Sequence, residues 1–492
     1  MNKKVIILLC SLLCAFIVFY FIFMHDSNKK NSNTNTVETI TYEEKNTDFS
    51  KYDETTINLS NEKDVYTITS GGVYHFTGTY SSYIKVDTED NVKIILDNVT
   101  INNSNGPCIY GVNSKNIYIE LVGENTLTDG SSYSNLDEEV KAVIFSNDDL
   151  IFSGSGSLVI NANYNDGISS DDDIEFISGT YTIKSKDDGI RGKDSVVIVS
   201  GNFTIDAGGD GIKSTNDTDE GKGYVLIKDG KINITSENDG IDAIDVEIDN
   251  GVITVKSGGG APTLSVKTGF NNSNSTSESQ KGIKADNNIL IKDGTISVNS
   301  YDDGIHSNNT IQIDNGKITI STGDDGVHAD GLIEINGGTF EISGAEGIEA
   351  TYVKINDGTI NISASDDGIN AGNKSSNYKT TVEINGGNIT IKMGAGDTDG
   401  IDSNGNLYIN GGTINITGNS PFDYDGEAKY NGGTLIVNGQ TTNTITNQFG
   451  GGMQGNRNMQ NNNMPNDRRM NRNMSNDGTT PTGGNMNGRG RI

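Results

Sequence analysis

Residues 187–209 read DDGIRGKDSVVIVSGNFTIDAGG, and most of the chain can be aligned to this unit. Two short runs in it, VVIV at 196–199 and FTIDA at 203–207, have the apolar spacing of strands with a buried face. Glycine, asparagine, aspartate and serine separate the runs and mark turns between them. One such unit cannot bury a core by itself, so the pattern predicts strand-and-turn rungs that become stable when they stack.

The DGI tripeptide of this unit recurs with a base period of 21 or 22 residues, and polar inserts at 215–223, 258–280 and 372–380 lengthen some intervals. The aligned glycines are Gly167, Gly189, Gly211, Gly240, Gly282, Gly304, Gly326, Gly347, Gly368 and Gly400. The repeat predicts an all-β fold, a single-stranded right-handed parallel β-helix with rungs of about 22 residues. Residues 51–150 repeat less regularly but alternate like strands, so we expect them to form the opening rungs.

Two columns of the repeat are predicted to point inward. The first is apolar and consists of Ile168, Ile190, Ile212, Ile241, Ile283, Ile305, Val327, Ile348, Ile369 and Ile401. The second lies two residues later, is small, and consists of Ser170, Gly192, Ser214, Ala243, Ala285, Ser307, Ala329, Ala350, Ala371 and Ser403. Because side chains alternate across a strand, both columns belong to the core.

The two ends of the chain differ from the repeats. Residues 5–24 are almost entirely apolar and follow Lys3 and Lys4, which predicts a transmembrane helix within an anchor at 1–30, with the body outside the cell. A cleaved signal peptide is the alternative, and the body would then be secreted. We expect residues 31–50 to be a flexible spacer, 51–440 the β-helix, and 441–492 a disordered tail rich in Met, Asn, Gly and Arg.

Charge and cysteine content narrow the classes of function. The net charge of the chain is −30, and the acidic residues are concentrated between 31 and 440. Such a body repels nucleic acid phosphates and attracts cations. Only Cys108 lies outside the apolar N-terminal run, so no disulfide framework is available within the body. We expect a monomer that does not bind nucleic acid.

Two stretches before the regular repeats carry a family resemblance: NIYIELVGENTLTDG at 116–130 and AVIFSNDDLIFSGSGSLVINANYNDGI at 142–168. Together with the DGI rungs, they resemble the cellulose- and pectin-binding β-helix domain family of bacterial surface proteins. The resemblance covers about residues 51–440. It implies a non-catalytic module that binds a cellulose- or pectin-like polysaccharide and contains calcium.

The residue before each glycine, except for Lys281, is acidic, and we predict a calcium site in this acidic column. Stacked carboxylates about 4.8 Å apart repel each other, and calcium, which prefers oxygen ligands, would offset that repulsion. The alternative is that each aspartate folds onto its own backbone in an Asx-turn. The predicted ligands are Asp166, Asp188, Asp210, Asp239, Asp303, Asp325, Asp367 and Asp399.

The residue after each isoleucine forms an outward column, where the predicted ligand-binding side chains lie. Cations and imidazoles in consecutive rungs can pair with uronate carboxylates or hydrogen-bond to sugar hydroxyls. A solvated face whose cations balance nearby aspartates is the alternative, and a transition-metal site at the two histidines is another. The predicted contacts are Arg191, Lys213, Lys284, His306 and His328, with Tyr301 as a platform for sugar rings.

Two other classes of function stay open. DTDGID at 397–402 resembles a motif of polygalacturonase-type hydrolases, but the DGI frame explains it without catalysis. A polysaccharide lyase would need a basic side chain beside acidic residues, and Arg191 is the candidate. A structural spacer or adhesin is the third class. We expect a calcium-stabilised, membrane-tethered polysaccharide-binding protein at the cell surface, and no catalytic residue.

Overall fold

The computed structural model describes residues 37–134, 136–262, 278–395 and 398–447. Within these residues the chain is a parallel β-solenoid of about 17 turns, with 41 strands. Its one helical element is a 3-10 turn at Leu59–Asn61. The prediction of an all-β parallel solenoid is confirmed, whereas its right-handedness stays a prediction.

Each rung contributes strands to three parallel sheets. The sheet that carries the DGI motif is called the DGI sheet, and several strands continue from it around a corner into the second sheet. The DGI sheet comprises Tyr66–Ile68, Ile84–Asp87, Ile109–Asn113, Ala142–Ser146, Asp166–Ser170, Ile190–Gly192, Ile212–Ser214, the first parts of Ile241–Ile248, Ile283–Ile291, Asp325–Ile335 and Glu346–Ile355, and Ile305–Ser307, Ile369–Ala371, Asp399–Ser403 and Ser420–Tyr424.

The second and third sheets follow in each rung. The second comprises Glu54–Asn58, the first parts of Gly72–Tyr80 and Asn91–Asn102, Asn116–Val122, Leu150–Gly154, Asp173–Phe176, Ser195–Ile198, Tyr224–Ile227, Thr310–Ile313, Thr381–Ile384, Asn406–Ile409 and Ala428–Tyr430. It also contains the second parts of the four strands that turn the corner from the DGI sheet, Ile241–Ile248, Ile283–Ile291, Asp325–Ile335 and Glu346–Ile355. The third comprises the ends of Gly72–Tyr80 and Asn91–Asn102, and Glu124–Thr128, Ser157–Asn161, Thr180–Lys184, Asn202–Ala207, Lys231–Ser236, Val252–Ser257, Thr295–Ser300, Lys317–Thr322, Thr339–Gly344, Thr359–Ala364, Asn388–Met393, Thr413–Thr417 and Thr434–Val437.

The repeats stack in register, so equivalent residues lie side by side along the axis. Ile168 pairs with Ile190, and Ile190 pairs with Ile212. Both predicted inward columns are buried, from Ile168 to Ile401 and from Ser170 to Ser403. The predicted core of the DGI sheet is therefore confirmed.

The DGI glycine is required by the close approach of successive rungs. A Cβ atom on Gly189 would lie 2.5 Å from the carbonyl oxygen of Gly211 and 2.5 Å from Ile205 Cγ2. The same contact recurs between Gly211 and Gly240. None of the DGI glycines has a positive φ. Glycine is therefore selected here by the close approach of the rungs and not by the left-handed conformation that the Asx-turn alternative assumes.

Residues 37–49, which we call the strap, run along the outer surface of the second sheet. The backbone N–H of Val37 donates to Gln312 Oε1 (3.0 Å), and that of Ile40 donates to Glu247 Oε2 (2.6 Å). At the other end, the Phe49 ring meets the Tyr118 ring edge-on, with 5.2 Å between centroids. Residues 37–49 of the segment that we predicted as a flexible spacer, 31–50, therefore pack against the solenoid.

The strap explains a row of outward-facing apolar side chains in the second sheet. Ile151, Val197, Leu226 and Leu290 occupy the outward position of their strands, yet each is no more than 3% exposed. They lie in the rungs between Tyr118 and Gln312, the two ends of the strap's contacts. Farther along, the same column carries Glu334, Lys354, Glu383 and Tyr408, which are partly exposed. Where the strap covers it, the column is buried, and its apolar residues alternate with Glu175 and Glu247, which accept hydrogen bonds from the strap.

Leu226→Ala should therefore destabilise the protein by about 2 kcal/mol, as a buried leucine truncation does, although Leu226 points away from the solenoid core. The matched control is Lys354→Ala in the same column beyond the strap. Its cost should stay below about 1 kcal/mol, because Lys354 makes only a partly exposed ion pair with Glu334. Denaturant unfolding measures both changes, and equal small costs would show that the strap does not bury this column in solution.

Residues 441–447 also differ from expectation, since they belong to the ordered C-terminal end. Gln440–Thr442 pairs antiparallel with Thr434–Val437, and Ile445 packs against the core. The side-chain amide of Asn447 donates to the carbonyl oxygen of Tyr424 (2.6 Å). The first residues of the segment that we predicted as a disordered tail, 441–447, thus pack against the solenoid, while the rest of that segment lies outside the described residues.

No helix in the described ranges is long and apolar enough to cross a bilayer. The predicted anchor at 1–30 lies outside those ranges, so it stays a prediction.

Candidate binding face

The outward column of the DGI sheet forms one continuous face. Arg191 pairs in register with Lys213, and Lys284 with His306, which in turn pairs with His328. Thus the structure brings together the side chains that the sequence predicted to be neighbours. At its N-terminal end the same column carries Tyr110 and Phe145, which are buried under Val140. Sequence reasoning missed this aromatic end because the early rungs lack the DGI motif.

The acidic column lies beside this face, buried from Asp166 to Asp325 apart from Lys281 and partly exposed at Asp367 and Asp399, and it links successive rungs. In each link, one carboxylate oxygen accepts a hydrogen bond from the backbone N–H of the equivalent residue in the next rung. With the N–H donor named first and the carboxylate acceptor second, the links are Asp188 to Asp166 (3.1 Å), Asp210 to Asp188 (2.9 Å), Asp239 to Asp210 (2.9 Å), Lys281 to Asp239 (2.7 Å), Asp325 to Asp303 (3.2 Å) and Asp399 to Asp367 (3.0 Å). We call this the aspartate ladder, a role that neither the calcium prediction nor the Asx-turn alternative contains.

Both predicted ligand-binding lysines are already paired with aspartates. The ammonium of Lys213 contacts Asp210 and lies 3.3 Å from Asp242 Oδ2. That of Lys284 lies 2.8 Å from Asp242 Oδ1 and 3.8 Å from Asp239 Oδ2. Burial opposes protonation of both lysines, but the neighbouring carboxylates outweigh it and raise both pKa values. This part of the face matches the charge-balancing alternative.

Both predicted histidines contact the same aspartate, Asp303. Nδ1 of His306 lies 2.8 Å from Asp303 Oδ2, and Nδ1 of His328 lies 3.5 Å from the same oxygen. Burial opposes protonation of His328, but Asp303 and Asp325 raise its pKa to about 10. Without a metal, His328 is therefore a cation at neutral pH.

Arg191 is the predicted ligand-binding cation whose charged group remains available to contact a ligand. It makes no ion pair within the described part of the chain, and it lines a groove of about 490 Å³ together with Asp166, Asp188 and Asn238. Burial, and then the neighbouring Asp188 and Asp187, raise the pKa of Asp166 to about 8. Burial and Asp210 likewise raise the pKa of Asp188 to about 6. We call this cavity the Arg191 groove.

Tyr301 lies at a corner of the solenoid beside the DGI face. Its side chain is 53% exposed and lines a separate cavity of about 220 Å³ with Pro262 and Gln280. Tyr301 does not line the Arg191 groove, although Glu278 lines both cavities. Tyr164, which is 40% exposed, stacks on Tyr133 with ring centroids 4.5 Å apart.

In two groups of three carboxylates within the described residues, one oxygen from each side chain lies within 4.8 Å of the others, and a lysine already contacts each group. Lys281 Nζ lies 2.5 Å from Asp302 in the cluster Asp302, Asp303 and Asp324. Lys45 of the strap lies 2.5 Å from Asp149 and 2.7 Å from Asp173 in the cluster Asp149, Asp172 and Asp173. The sequence does not predict the second cluster, because the strap brings Lys45 to residues more than 100 positions away.

Comparison with known proteins gives the following matches. A family model described as "Carbohydrate-binding domain-containing protein" matches residues 62–326, 310–347 and 325–448. A curated protein of Acetivibrio thermocellus with the same description is 35% identical over 126 residues, or 24% of this chain and 44% of that protein. The match therefore spans less than half of that relative.

A solved structure is also similar to part of the chain. It is described as the polysaccharide lyase-like protein from C. thermocellum, a gadolinium derivative. The match has a TM-score of 0.40 and 34% sequence identity, and it covers 42% of this chain and 91% of that chain.

Proposed function

Because the chain belongs to the carbohydrate-binding domain family, we propose that its solenoid binds an extended, uronate-containing polysaccharide without cleaving it. The observation that carries the proposal is the Arg191 groove. A guanidinium there has no ion-pair partner among the described residues, and it can form two parallel hydrogen bonds to one carboxylate. Side chains in register along the axis suit a polymer that lies along several rungs.

The cations around the groove support binding rather than catalysis. A lyase needs a side chain that accepts a proton near neutral pH. Lys213, beside Arg191, has its pKa raised by Asp210 and Asp242 against the effect of burial, so it remains protonated and cannot act as that base. The groove residues whose pKa values lie near neutral pH are Asp166 and Asp188, and these are the groups that the lyase alternative would have to use. Asp399 and Asp402 of the hydrolase-like motif belong to a strand of the same repeat, in register with neighbouring rungs. The repeat accounts for both residues without a catalytic role.

Calcium is part of the proposal, at Asp166, Asp187 and Asp188 beside the Arg191 groove. Asp166 and Asp188 each use one oxygen in the aspartate ladder, and neither pairs with a lysine or histidine in the described ranges. Their pKa values are raised by burial and then by neighbouring carboxylates, Asp188 in the case of Asp166 and Asp210 in the case of Asp188, and a bound cation would relieve this repulsion. Carboxylate oxygens are the ligands that calcium prefers, and the bound ion would also attract a uronate.

The setting of the module is proposed from the sequence. The apolar segment at 5–24 would anchor the protein in the membrane with its solenoid at the cell surface, where polysaccharides are accessible. If that segment is cleaved, the solenoid is secreted instead.

Retention on polymer columns tests the proposed site. Wild type should be retained on polygalacturonate, and salt and chelator should weaken this retention because both the Arg191 contact and the calcium bridge are electrostatic. Arg191→Ala should reduce the affinity by at least about tenfold, as the loss of a charge-assisted hydrogen bond does. Lys354→Ala, a cation on the second sheet, is the matched control and should bind like wild type.

A neutral polymer separates the alternatives. If a cellulose-like glucan is the ligand, Tyr301→Ala should weaken retention on cellulose while Arg191→Ala has little effect. A structural spacer or adhesin that does not recognise polysaccharide should bind neither polymer. Equal retention of wild type and Arg191→Ala on polygalacturonate would remove the groove from the binding site.

A further inference from the structure

Asp303, His306 and His328 place three ligand atoms around one point on the DGI face. These atoms lie within 4.8 Å of one another. The two rings are held by strands of consecutive rungs, with centroids 4.7 Å apart and planes at 77°. The other oxygen of Asp303 accepts the backbone N–H of Asp325 in the aspartate ladder, which fixes the carboxylate. The ligand set is therefore positioned by the stacking of the rungs.

Hydrogen bonding alone accounts poorly for His328. Both of its ring nitrogens are buried and lack a hydrogen bond of normal geometry. Carboxylate oxygens nevertheless surround them, with Asp325 at 3.1 Å and Asp303 at 3.5 Å from Nδ1, and Glu349 at 3.7 Å from Nε2. The carboxylates that favour a cationic ring would equally favour a divalent metal ion in place of its proton.

The spacing fits a small tetrahedral ion. Zinc binds imidazole nitrogen and carboxylate oxygen at about 2.0–2.2 Å, which separates neighbouring ligand atoms by about 3.4 Å. The distances from Asp303 Oδ2 to the two Nδ1 atoms, 2.8 and 3.5 Å, bracket that value. Two nitrogen donors favour a zinc-class transition metal over calcium, which takes oxygen ligands.

One neighbouring cation competes with this site. Lys281 Nζ lies 3.1 Å from Asp303 Oδ2, but it is closer to Asp302, at 2.5 Å. Asp302 can therefore retain the ammonium when a metal takes the second oxygen of Asp303. Asp325 and Glu349 add negative charge around His328 that favours a dication.

We propose that Asp303, His306 and His328 form a binding site for a divalent transition metal of the zinc class, with a fourth position open to water or another ligand. The site joins two consecutive rungs. It is distinct from the proposed calcium site at Asp166 and stands whether or not the solenoid binds a polysaccharide.

Titration calorimetry with zinc chloride on the full chain, purified without a polyhistidine tag, tests the site. We expect one zinc ion to bind to wild type, and His306→Gln or His328→Gln to weaken binding by about 100-fold or more, since even loss of an outer-shell partner costs 10- to 100-fold. His75→Gln is the matched control, because His75 pairs with Glu54 and Asp97 at the other end of the solenoid. It should bind zinc like wild type.

Cobalt substitution provides a readout that does not depend on whether the variants fold. Cobalt bound to wild type should show the intense visible absorption of a tetrahedral site, and zinc should abolish it by displacement. Folded wild type that binds no zinc, or zinc binding that both glutamine variants leave unchanged, would overturn the proposal.

Discussion

Gly189→Ala should destabilise the rungs around it by about 3 kcal/mol or more, the upper range for overpacked sites. The added methyl group would lie 2.5 Å from both the Gly211 carbonyl oxygen and Ile205 Cγ2. One of these neighbours is backbone, so the clash can be relieved only by separating two stacked rungs. Thermal unfolding followed by circular dichroism, together with hydrogen exchange of the neighbouring rungs, measures the effect.

Gly221→Ala is the control for this substitution. Gly221 has a positive φ of 77°, but no atom lies within 4 Å of a Cβ placed there. Its replacement should cost about 1–2 kcal/mol, the ordinary penalty for a side chain in the left-handed region. If Gly189→Ala costs no more than Gly221→Ala, the DGI glycine is not selected by rung stacking, and its recurrence needs a functional reason.

Asp166→Asn should stabilise the metal-free protein at pH 8 by about 2–3 kcal/mol and have little effect at pH 4. Burial and the neighbouring Asp188 and Asp187 raise the pKa of Asp166 to about 8. The folded state therefore holds a proton that the unfolded state releases near pH 4, and stability falls as the pH rises from 4 to 8. Asparagine removes this charge while keeping an oxygen for the N–H of Asp188.

Denaturant unfolding at both pH values in chelator measures the change, and the same series in calcium tests the proposed ion. Bound calcium should stabilise wild type by about 2.7 kcal/mol at a hundredfold excess over Kd, and should stabilise Asp166→Asn much less. An Asp166→Asn protein that is less stable than wild type at pH 8 in chelator would show that the buried charge is already compensated. Equal effects of calcium on both proteins would remove Asp166 from the site.

The rungs and the DGI face could be predicted from the sequence because each depends on a local, repeated pattern. Each inward column, from Ile168 to Ile401 and from Ser170 to Ser403, occupies its own fixed position in the repeat, so periodicity alone assigns both columns to the core. The adjacency of Arg191 and Lys213, and of His306 and His328, follows from the same register.

The strap and the partners of the acidic column could not be predicted in this way. The strap residues contact side chains up to 275 positions away, and no repeat links them. One signal was present: the continuous apolar runs SVVI at 195–198 and YVLI at 224–227 predict strands buried on both faces. Repeat alignment shows that the aspartates stack in one column. It does not show how each side chain is oriented, and so it does not predict that one carboxylate oxygen accepts a hydrogen bond from the next rung.

The most direct test of non-catalytic polysaccharide binding is incubation of the full wild-type chain with insoluble, calcium-crosslinked polygalacturonate. Both the pellet and the supernatant are then analysed. The protein should sediment with the polymer and leave no soluble sugar, no new reducing ends and no unsaturated products above a protein-free control. Soluble oligosaccharide that increases with time and with protein concentration would contradict the account and make the protein an enzyme. Protein that stays in the supernatant would contradict the binding itself.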